Sequence, residues 1–322
     1  MTWKILVSAP YMQGVIGEYR HIIEKVNPDI ELIVPQVRER LSEQELLELI
    51  GDIDGVICGD DFFTARVIRS APKLKVISKW GTGIDSIDQE AASHCGIAVC
   101  NTKDAFTEAL ADSVLGYMLC FARQLPWMDR DIRSGGWVKP AGFTLGEATL
   151  GVIGVGNIGR AIVRRAVAFG MRILGNDLVQ APEAFIAETG LKMVSKQDLL
   201  AQADFVTLNC DLTPQSHHIV GQPELAAMKN TAYLINAARG PLVHEKALVS
   251  ALREGVIAGA ALDVFEIEPL PEDSGLRSLD NCLLAPHNAN SSPEAYKRVH
   301  ENTIRNLLNH LTATASPQPR DR

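Results

Sequence analysis

The sequence predicts an α/β protein built from two parallel sheets, each with helices on both faces. Three observations predict it. Short β-rich runs alternate with longer helical patterns almost from end to end, as parallel strands joined by crossover helices require. Several of these runs are nearly continuous in apolar residues, the pattern of strands buried on both faces. The runs also fall into two series, parted by a long segment without strand signal. Two series imply two sheets, and 322 residues are enough for two domains.

In chain order, the first series comprises Lys4–Ala9, Glu31–Val34, Gly55–Cys58, Lys75–Ser78 and Ile97–Cys100. Among the helical segments between them is Ser42–Ile50, where Ser42 and Glu45 spell a capping box. From about Ala105 to Arg133 the apolar residues Leu110, Val114, Tyr117, Met118, Phe121 and Leu125 recur at spacings of three and four. That spacing predicts one amphipathic helix. Arg133–Thr144, with Gly135-Gly136-Trp137 and Pro140, reads as an extended arm. An arm this long has little reason to stay ordered without a surface to cover, so helix and arm predict a homodimer. The second series comprises Leu150–Ile153, Met171–Asn176, Asp204–Leu208, Thr231–Asn236, Val256–Leu262 and Asn281–Ala285. A last helix begins at Ser292-Pro293, a good N-cap followed by Pro at the first helical position. The closing ATASPQPRDR reads as a disordered tail. The expected division is residues 1–100 plus 288–322 as one domain and 101–287 as the other. No linker separates them, so a shared interface and hinge are expected.

Composition narrows the function. Lys plus Arg number 31 against 39 Asp plus Glu, a net charge of −8, and no Lys/Arg run appears; nucleic acid is not the expected partner. The longest apolar stretch, Val114 to Ala122, is far short of the ~20 residues that span a bilayer. MTWKILVSAPYMQG reads as a first strand and its turn, not a signal peptide. The six cysteines form no CxxC pair and the eight histidines no HExxH, so reduced core thiols in a cytoplasmic, metal-free protein are expected.

The strongest motif is Gly154-Val155-Gly156-Asn157-Ile158-Gly159. Alone such a pattern is weak, but here the strand Leu150–Ile153 runs into it and a helix, Arg160–Phe169, leaves it. Gly154 permits the tight turn, Gly156 lets backbone approach a pyrophosphate, and Gly159 lets helix and strand pack closely. The phosphates then meet the unpaired N–H groups of the helix N-terminus. Asp177 ends the next strand, 18 residues after Gly159, where its carboxylate can take the two ribose hydroxyls. No Arg or Lys follows in Asp177–Gln180 to receive a 2′-phosphate, so the expected cofactor is NAD rather than NADP. Cys210 and Thr213 are assigned to the cofactor pocket, Cys210 as a small contact on its adenine side.

Three polar residues stand at the ends of later strands: Arg239, Glu268 and His287. Reduction of a 2-keto acid by hydride needs such a set. A cation grips the carboxylate beside the carbonyl, and Arg does so bidentately. An acid supplies the carbonyl oxygen's proton, a task suited to His. A carboxylate paired with that His sets its tautomer and favours the charged ring.

These residues resemble the D-isomer-specific 2-hydroxyacid dehydrogenase family, in which D-3-phosphoglycerate, formate, glycerate and D-lactate dehydrogenases are found. GVIGVGNIGR, LINAARG, ALDVFEIEP and APHNAN occur in the family's order and spacing over nearly the whole chain. The resemblance implies two Rossmann-like doubly wound domains with an active-site cleft between them. It implies that Arg239 binds and polarises substrate, that His287 donates the proton and that Glu268 is its partner. It further implies that Asp263 and the backbone from Ala237 through Ala238 to Arg239 hold the nicotinamide end of NAD. Lys79-Trp80-Gly81-Thr82-Gly83 resembles the family's substrate-binding Gly loop. Some features depart from the pattern: Ala289-Asn290 replace two small residues after the histidine, and Asp112 stands where Glu is usual. The regulatory extension of longer phosphoglycerate dehydrogenases is not in this sequence, so serine feedback through such a domain is not expected.

The expected activity is hydride transfer between NAD(H) and a D-2-hydroxy acid/2-keto acid pair, with 3-phosphoglycerate/3-phosphohydroxypyruvate as one candidate and glyoxylate or hydroxypyruvate as another. The competing reading is a non-enzymatic NAD(H)-sensing protein of the co-repressor kind, which can retain the same three residues. His217-His218 is read as a partly exposed structural pair after the Thr213-Pro214 turn.

Overall fold

The computed structural model describes residues 2–313. They divide into two compact units, one made of residues as far as Phe106 together with those from Ser292 onward, the other of Thr107–Ser291. Both are parallel α/β sheets, as their apolar strands demand.

The first unit holds β1 (Trp3–Val7), β2 (Ile30–Ile33), β3 (Gly55–Cys58), β4 (Val76–Lys79) and β5 (Ala98–Cys100). Their order is β2-β1-β3-β4-β5, all parallel. This is a doubly wound arrangement whose strand order reverses beside β1. Two apolar clusters cover its two faces, one around Leu6, Val56 and Ile77, the other around Ile5, Ile57 and Val76. The second cluster is completed by the last helix, Pro293–Ala313, through Val299, Ile304, Leu307 and Leu311. Gly55 makes room for it: a Cβ there would stand 2.8 Å from the Leu307 side chain. The Ser78 hydroxyl donates to Thr303 O at 2.8 Å, pinning the helix across β4. Ser42 and Glu45 form the expected capping box.

The second unit holds β6 (Thr149–Ile153), β7 (Arg172–Asn176), β8 (Lys192–Met193), β9 (Phe205–Leu208), β10 (Tyr233–Asn236), β11 (Gly259–Leu262) and β12 (Cys282–Leu284). The order is β12-β11-β10-β9-β6-β7-β8, again all parallel. The strand order reverses between β6 and β9, which creates the crevice at which such sheets bind dinucleotides.

Several elements differ from expectation. The amphipathic segment is two helices, Thr107–Arg123 and Leu125–Arg133, broken at Gln124 with φ 55°. Pro126 is the cause, because it has no N–H and its ring excludes the carbonyl four residues back. That carbonyl, Ala122 O, accepts instead from Phe143 N at 3.0 Å. The helix after the Gly-rich turn starts at Asn157, not Arg160, because Gly156 already caps it. The apolar run Val256–Leu262 is strand only from Gly259. Gly255, at φ 69°, ends the preceding helix, and Val256 N folds back to Ala251 O. β8, two residues long and without an apolar run, had no sequence signal. Of the segment read as a tail, Ala313 closes the last helix and 314–322 lie outside the described residues.

Candidate active site

The Gly-rich turn has the geometry its residue types require. Gly154 adopts φ 92° and lies against the chain after β9, where an added Cβ would be 2.6 Å from Asn209 C and Cys210 N. A Cβ on Gly159 would approach Gly154 O to 2.1 Å. Gly156 differs: nothing lies within 4 Å of its Cβ position. Two glycines are therefore filled by the fold, while the third opens the N-terminus of helix Asn157–Ala168. This fits a pyrophosphate placed against the helix N–H groups. Asn157 is exposed there and Ile158 packs half-buried below.

Asp177 reaches back from the end of β7 to the same turn. Its Oδ2 accepts from Val155 N at 2.6 Å and its Oδ1 from Val179 N at 3.1 Å. Leu178 and Val179 beside it stand in water, at 101% and 72% exposure. Cys210 is half-buried with its thiol pushed up to about 11 by burial, which suits a contact residue rather than a nucleophile. Thr213 closes a turn with Ser216, whose N–H donates to its hydroxyl at 3.2 Å.

The strand ends carry the rest. After β10, the Asn236 side chain wraps the loop from Ala237 to Arg239, accepting from Ala238 N at 3.2 Å and donating to Arg239 O at 2.8 Å. Ala237 is buried, and Ala238 and Arg239 are half-buried. Gly240 follows because backbone must touch backbone: a Cβ there would meet Phe265 C and O at 1.9 Å. After β11 comes Asp263, only 1% exposed. Its backbone oxygen accepts from His287 N at 2.7 Å. Its carboxylate accepts from Asn288 N at 2.9 Å and Ala289 N at 2.8 Å. Three successive amides thus close on one residue, and His287 takes φ 51°. In that pose His287 Nδ1 lies 3.0 Å from Glu268 Oε2, while Glu268 Oε1 accepts from Phe265 N at 2.9 Å. Arg239, Glu268 and His287 thus project from neighbouring strand ends of one sheet.

Two supporting residues escaped the sequence reading. Ser113 Oγ donates to Ala289 O at 2.8 Å. The Tyr117 phenol is pushed up by burial and by the nearby Asp263 charge. Tyr117 shows in sequence only as an apolar position of a helix, and Ser113 carries no signal.

Lys79 to Gly83 belong to the first unit, described by itself. Both large side chains are buried against neighbours in this unit. Lys79 pairs with Asp60 at 2.9 Å with its side chain 5% exposed. Trp80 donates from Nε1 to His300 Nδ1 at 3.0 Å and stacks on Tyr11 at 4.8 Å. What this loop presents is backbone: Gly81 at φ 127°, then Thr82 and Gly83, with Thr82 Oγ1 donating to Thr102 O at 3.1 Å.

A model of the family described as D-isomer specific 2-hydroxyacid dehydrogenase, NAD binding domain, matches residues 115–289. A glyoxylate reductase of Korarchaeum cryptofilum is 39% identical over 293 residues, 89% of this chain and 88% of its own. A D-3-phosphoglycerate dehydrogenase of Methanocaldococcus jannaschii is 42% identical over 298 residues, 91% of this chain but 55% of its own length. Among solved structures, a glyoxylate reductase from Paecilomyes thermophila is similar with a TM-score of 0.83 at 31% identity, covering 96% of this chain and 95% of that one.

Asp263→Asn tests the clamp. Asparagine keeps the shape but turns an amide N–H₂ toward one of the two backbone N–H groups. The expected cost is about 2–3 kcal/mol, the scale of a charged hydrogen bond lost in the interior. Urea unfolding should show a lower midpoint at unchanged slope; an unmoved midpoint would remove the clamp from the fold's essentials.

Proposed function

The chain belongs to the D-isomer-specific 2-hydroxyacid dehydrogenase family, and on that premise we propose that it reduces a 2-oxo acid to the D-2-hydroxy acid with Arg239, Glu268 and His287 as its catalytic residues. It is an NAD-dependent oxidoreductase acting on the CH–OH group of hydroxy acids. The observation that carries the reading of the site is the 3.0 Å contact between His287 Nδ1 and Glu268 Oε2, made at the carboxyl end of the sheet that bears the Gly-rich turn.

NAD, when bound, supplies the hydride chemistry. The chain's part is to bind, orient and protonate. Gly154, Gly156, Asn157, Ile158 and Gly159 hold the pyrophosphate at the helix N-terminus, and Asp177 takes the ribose. Cys210 lines the adenine side and Thr213 belongs to the same cofactor pocket; Ala237, Ala238 and Asp263 form the nicotinamide end. In the first unit the loop Lys79-Trp80-Gly81-Thr82-Gly83 is the substrate-binding loop, with backbone N–H groups to offer; in the second, Arg239 grips the substrate carboxylate and polarises the carbonyl. With Nδ1 bound by Glu268, the proton given to the carbonyl oxygen comes from His287 Nε2. Glu268 holds the ring's orientation and favours its charged form.

Glyoxylate as substrate is supported by relatives with that name that match nearly end to end. 3-Phosphohydroxypyruvate is supported by the 42% identity to a phosphoglycerate dehydrogenase. NADH oxidation over glyoxylate, hydroxypyruvate, pyruvate and 3-phosphohydroxypyruvate decides between them; NADH binding without reduction of any 2-oxo acid would sink the reading. The six free cysteines suit a cytoplasmic setting.

The acid gives a pH signature. Reduction needs the protonated ring, so it should weaken as pH rises, while oxidation of the hydroxy acid strengthens. Glu268→Gln removes the charge that favours protonation, so the pH at which reduction fails should move downward. His287→Ala should lower turnover by roughly 10²–10⁴-fold with NADH binding intact. Kinetics from pH 5 to 10 check both, and an unmoved profile in Glu268→Gln would exclude Glu268 from the mechanism.

Asp177, fixed beside Val155 N, both accepts ribose hydroxyls and repels a 2′-phosphate. Asp177→Ala should therefore weaken NAD binding far more than NADP binding. Fluorescence titration of the two reduced cofactors measures it; equal losses would show that another group reads the ribose.

The homodimer rests on the arm after Arg133. Trp137 is 78% and Val138 66% exposed there, and Leu125 and Ile132 on the preceding helix are half in water. Apolar surface of this kind is characteristic of an interface. Light scattering at micromolar concentration should return about twice the chain mass, and a monomer mass would refute the assembly.

A further inference from the structure

The loop that carries Glu268 is held at a second point. Glu266 Oε1 accepts from His218 Nε2 at 2.8 Å and from Glu245 N at 3.1 Å. Its own N–H donates to Glu245 Oε2 at 3.4 Å. His218 arrives from the turn after Thr213 in a left-handed conformation, φ 52°, a placement that β-unbranched polar residues tolerate best. Its N–H donates to Pro241 O at 2.8 Å, two residues beyond Arg239. Val220 N then donates to Leu242 O at 3.1 Å and His244 N to Val220 O at 3.0 Å. The His218–Glu266 contact therefore joins the turn from Thr213 to His218 to the loop from Phe265 to Glu268, and backbone bonds tie the same turn to the segment from Arg239 to His244.

The charged and titratable groups around it are few. The His217 ring lies 3.9 Å and the His244 ring 4.7 Å from that of His218. His244 Nδ1 accepts from Ala247 N at 3.1 Å, so that nitrogen carries no proton. Glu245, held mainly by burial toward its neutral form, stands behind Glu266. The His218 and Glu266 side chains are 31% and 32% exposed. A pair this exposed adds little to stability, so its position is what it contributes. It lies two residues from Glu268 in sequence, and Phe265, the residue before Glu266, is the one whose N–H holds Glu268 Oε1.

We propose that His218 is a positioning residue: through Glu266 it fixes the loop from Phe265 to Glu268, and so keeps Glu268 on His287 Nδ1. This rests on the assignment of Glu268 and His287 as catalytic residues. Nε2 must carry a proton to donate to Glu266, in either the neutral or the charged ring, so an amide donor of similar reach can replace it.

The test is steady-state reduction of a 2-oxo acid from the panel above by the full-length protein, with NADH affinity measured separately. His218→Leu should lower kcat about 10-fold to 100-fold, the scale of a small displacement of a catalytic group, with KM and NADH affinity little changed. His218→Gln should recover most of the rate. Glu266→Ala approaches the same contact from the other side and should give a similar loss, and the double variant should fall no further than either single one. Wild-type kcat in His218→Leu and Glu266→Ala, or equal losses in His218→Leu and His218→Gln, would overturn the proposal. Glu268→Gln and His287→Ala are assayed alongside. If those two behave as wild type, the catalytic assignment and this proposal fall together; if they lose activity while the His218 variants do not, the proposal falls alone.

Discussion

A carboxylate taken almost wholly out of water must find donors close at hand, and Asp263 finds them in the amides of Asn288 and Ala289. The histidine end of the candidate active site is arranged around that need. Closing those two amides on Asp263, with His287 N already on its carbonyl, turns the chain sharply as it leaves β12. The turn is tight enough to put His287 in the left-handed region, a conformation that costs free energy and persists only where the surroundings over-determine it. The second ring of contacts, Ser113 on Ala289 O and Tyr117 near Asp263, comes from the helix Thr107–Arg123. The orientation of the histidine is thus a property of the sheet and of one long helix, rather than of a loop free to wander.

The parallel sheet explains why chemistry gathers where it does. Parallel strands all end at one edge, and β6, β7, β10, β11 and β12 deliver to that edge the Gly-rich turn, Asp177, Arg239, Glu268 and His287. None of these residues need be near another in sequence. A backbone contact too close for a Cβ, at Gly240 against Phe265, draws the loops after β10 and β11 together, and another at Gly159 closes the Gly-rich turn on itself.

Much of this was legible in the sequence, for physical reasons. Strands buried on both faces announce themselves as apolar runs, and the Gly-rich motif is readable because Gly154 and Gly159 answer steric demands while Gly156 leaves the helix N-terminus open. The break at Gln124 was foreshadowed by Pro126, but the apolar spacing runs straight through it. β8 is held by β7 alone and has no apolar signature to read. Lys79 and Trp80 read as ligand contacts only through the resemblance of Lys79–Gly83 to the family's Gly loop. Their partners, Asp60 and His300, are remote or unremarkable in sequence, and only the fold shows those two pairs. The link between His218 and Glu266 spans 48 residues and joins two loops, so no periodicity could reveal it.

The last helix has a consequence for the order in which the molecule can be made. It covers a face of a sheet whose strands all lie within the first hundred residues, and its bond from Ser78 to Thr303 spans 225 positions. While a ribosome works along the chain, the part of that face under Val299, Ile304, Leu307 and Leu311 stays uncovered until Pro293–Ala313 has been made. The other unit, contiguous from Thr107 to Ser291, has every strand it needs before then. Synthesis thus delivers the strands of the Gly-rich, His287-bearing unit before the five-stranded sheet receives the helix that closes it.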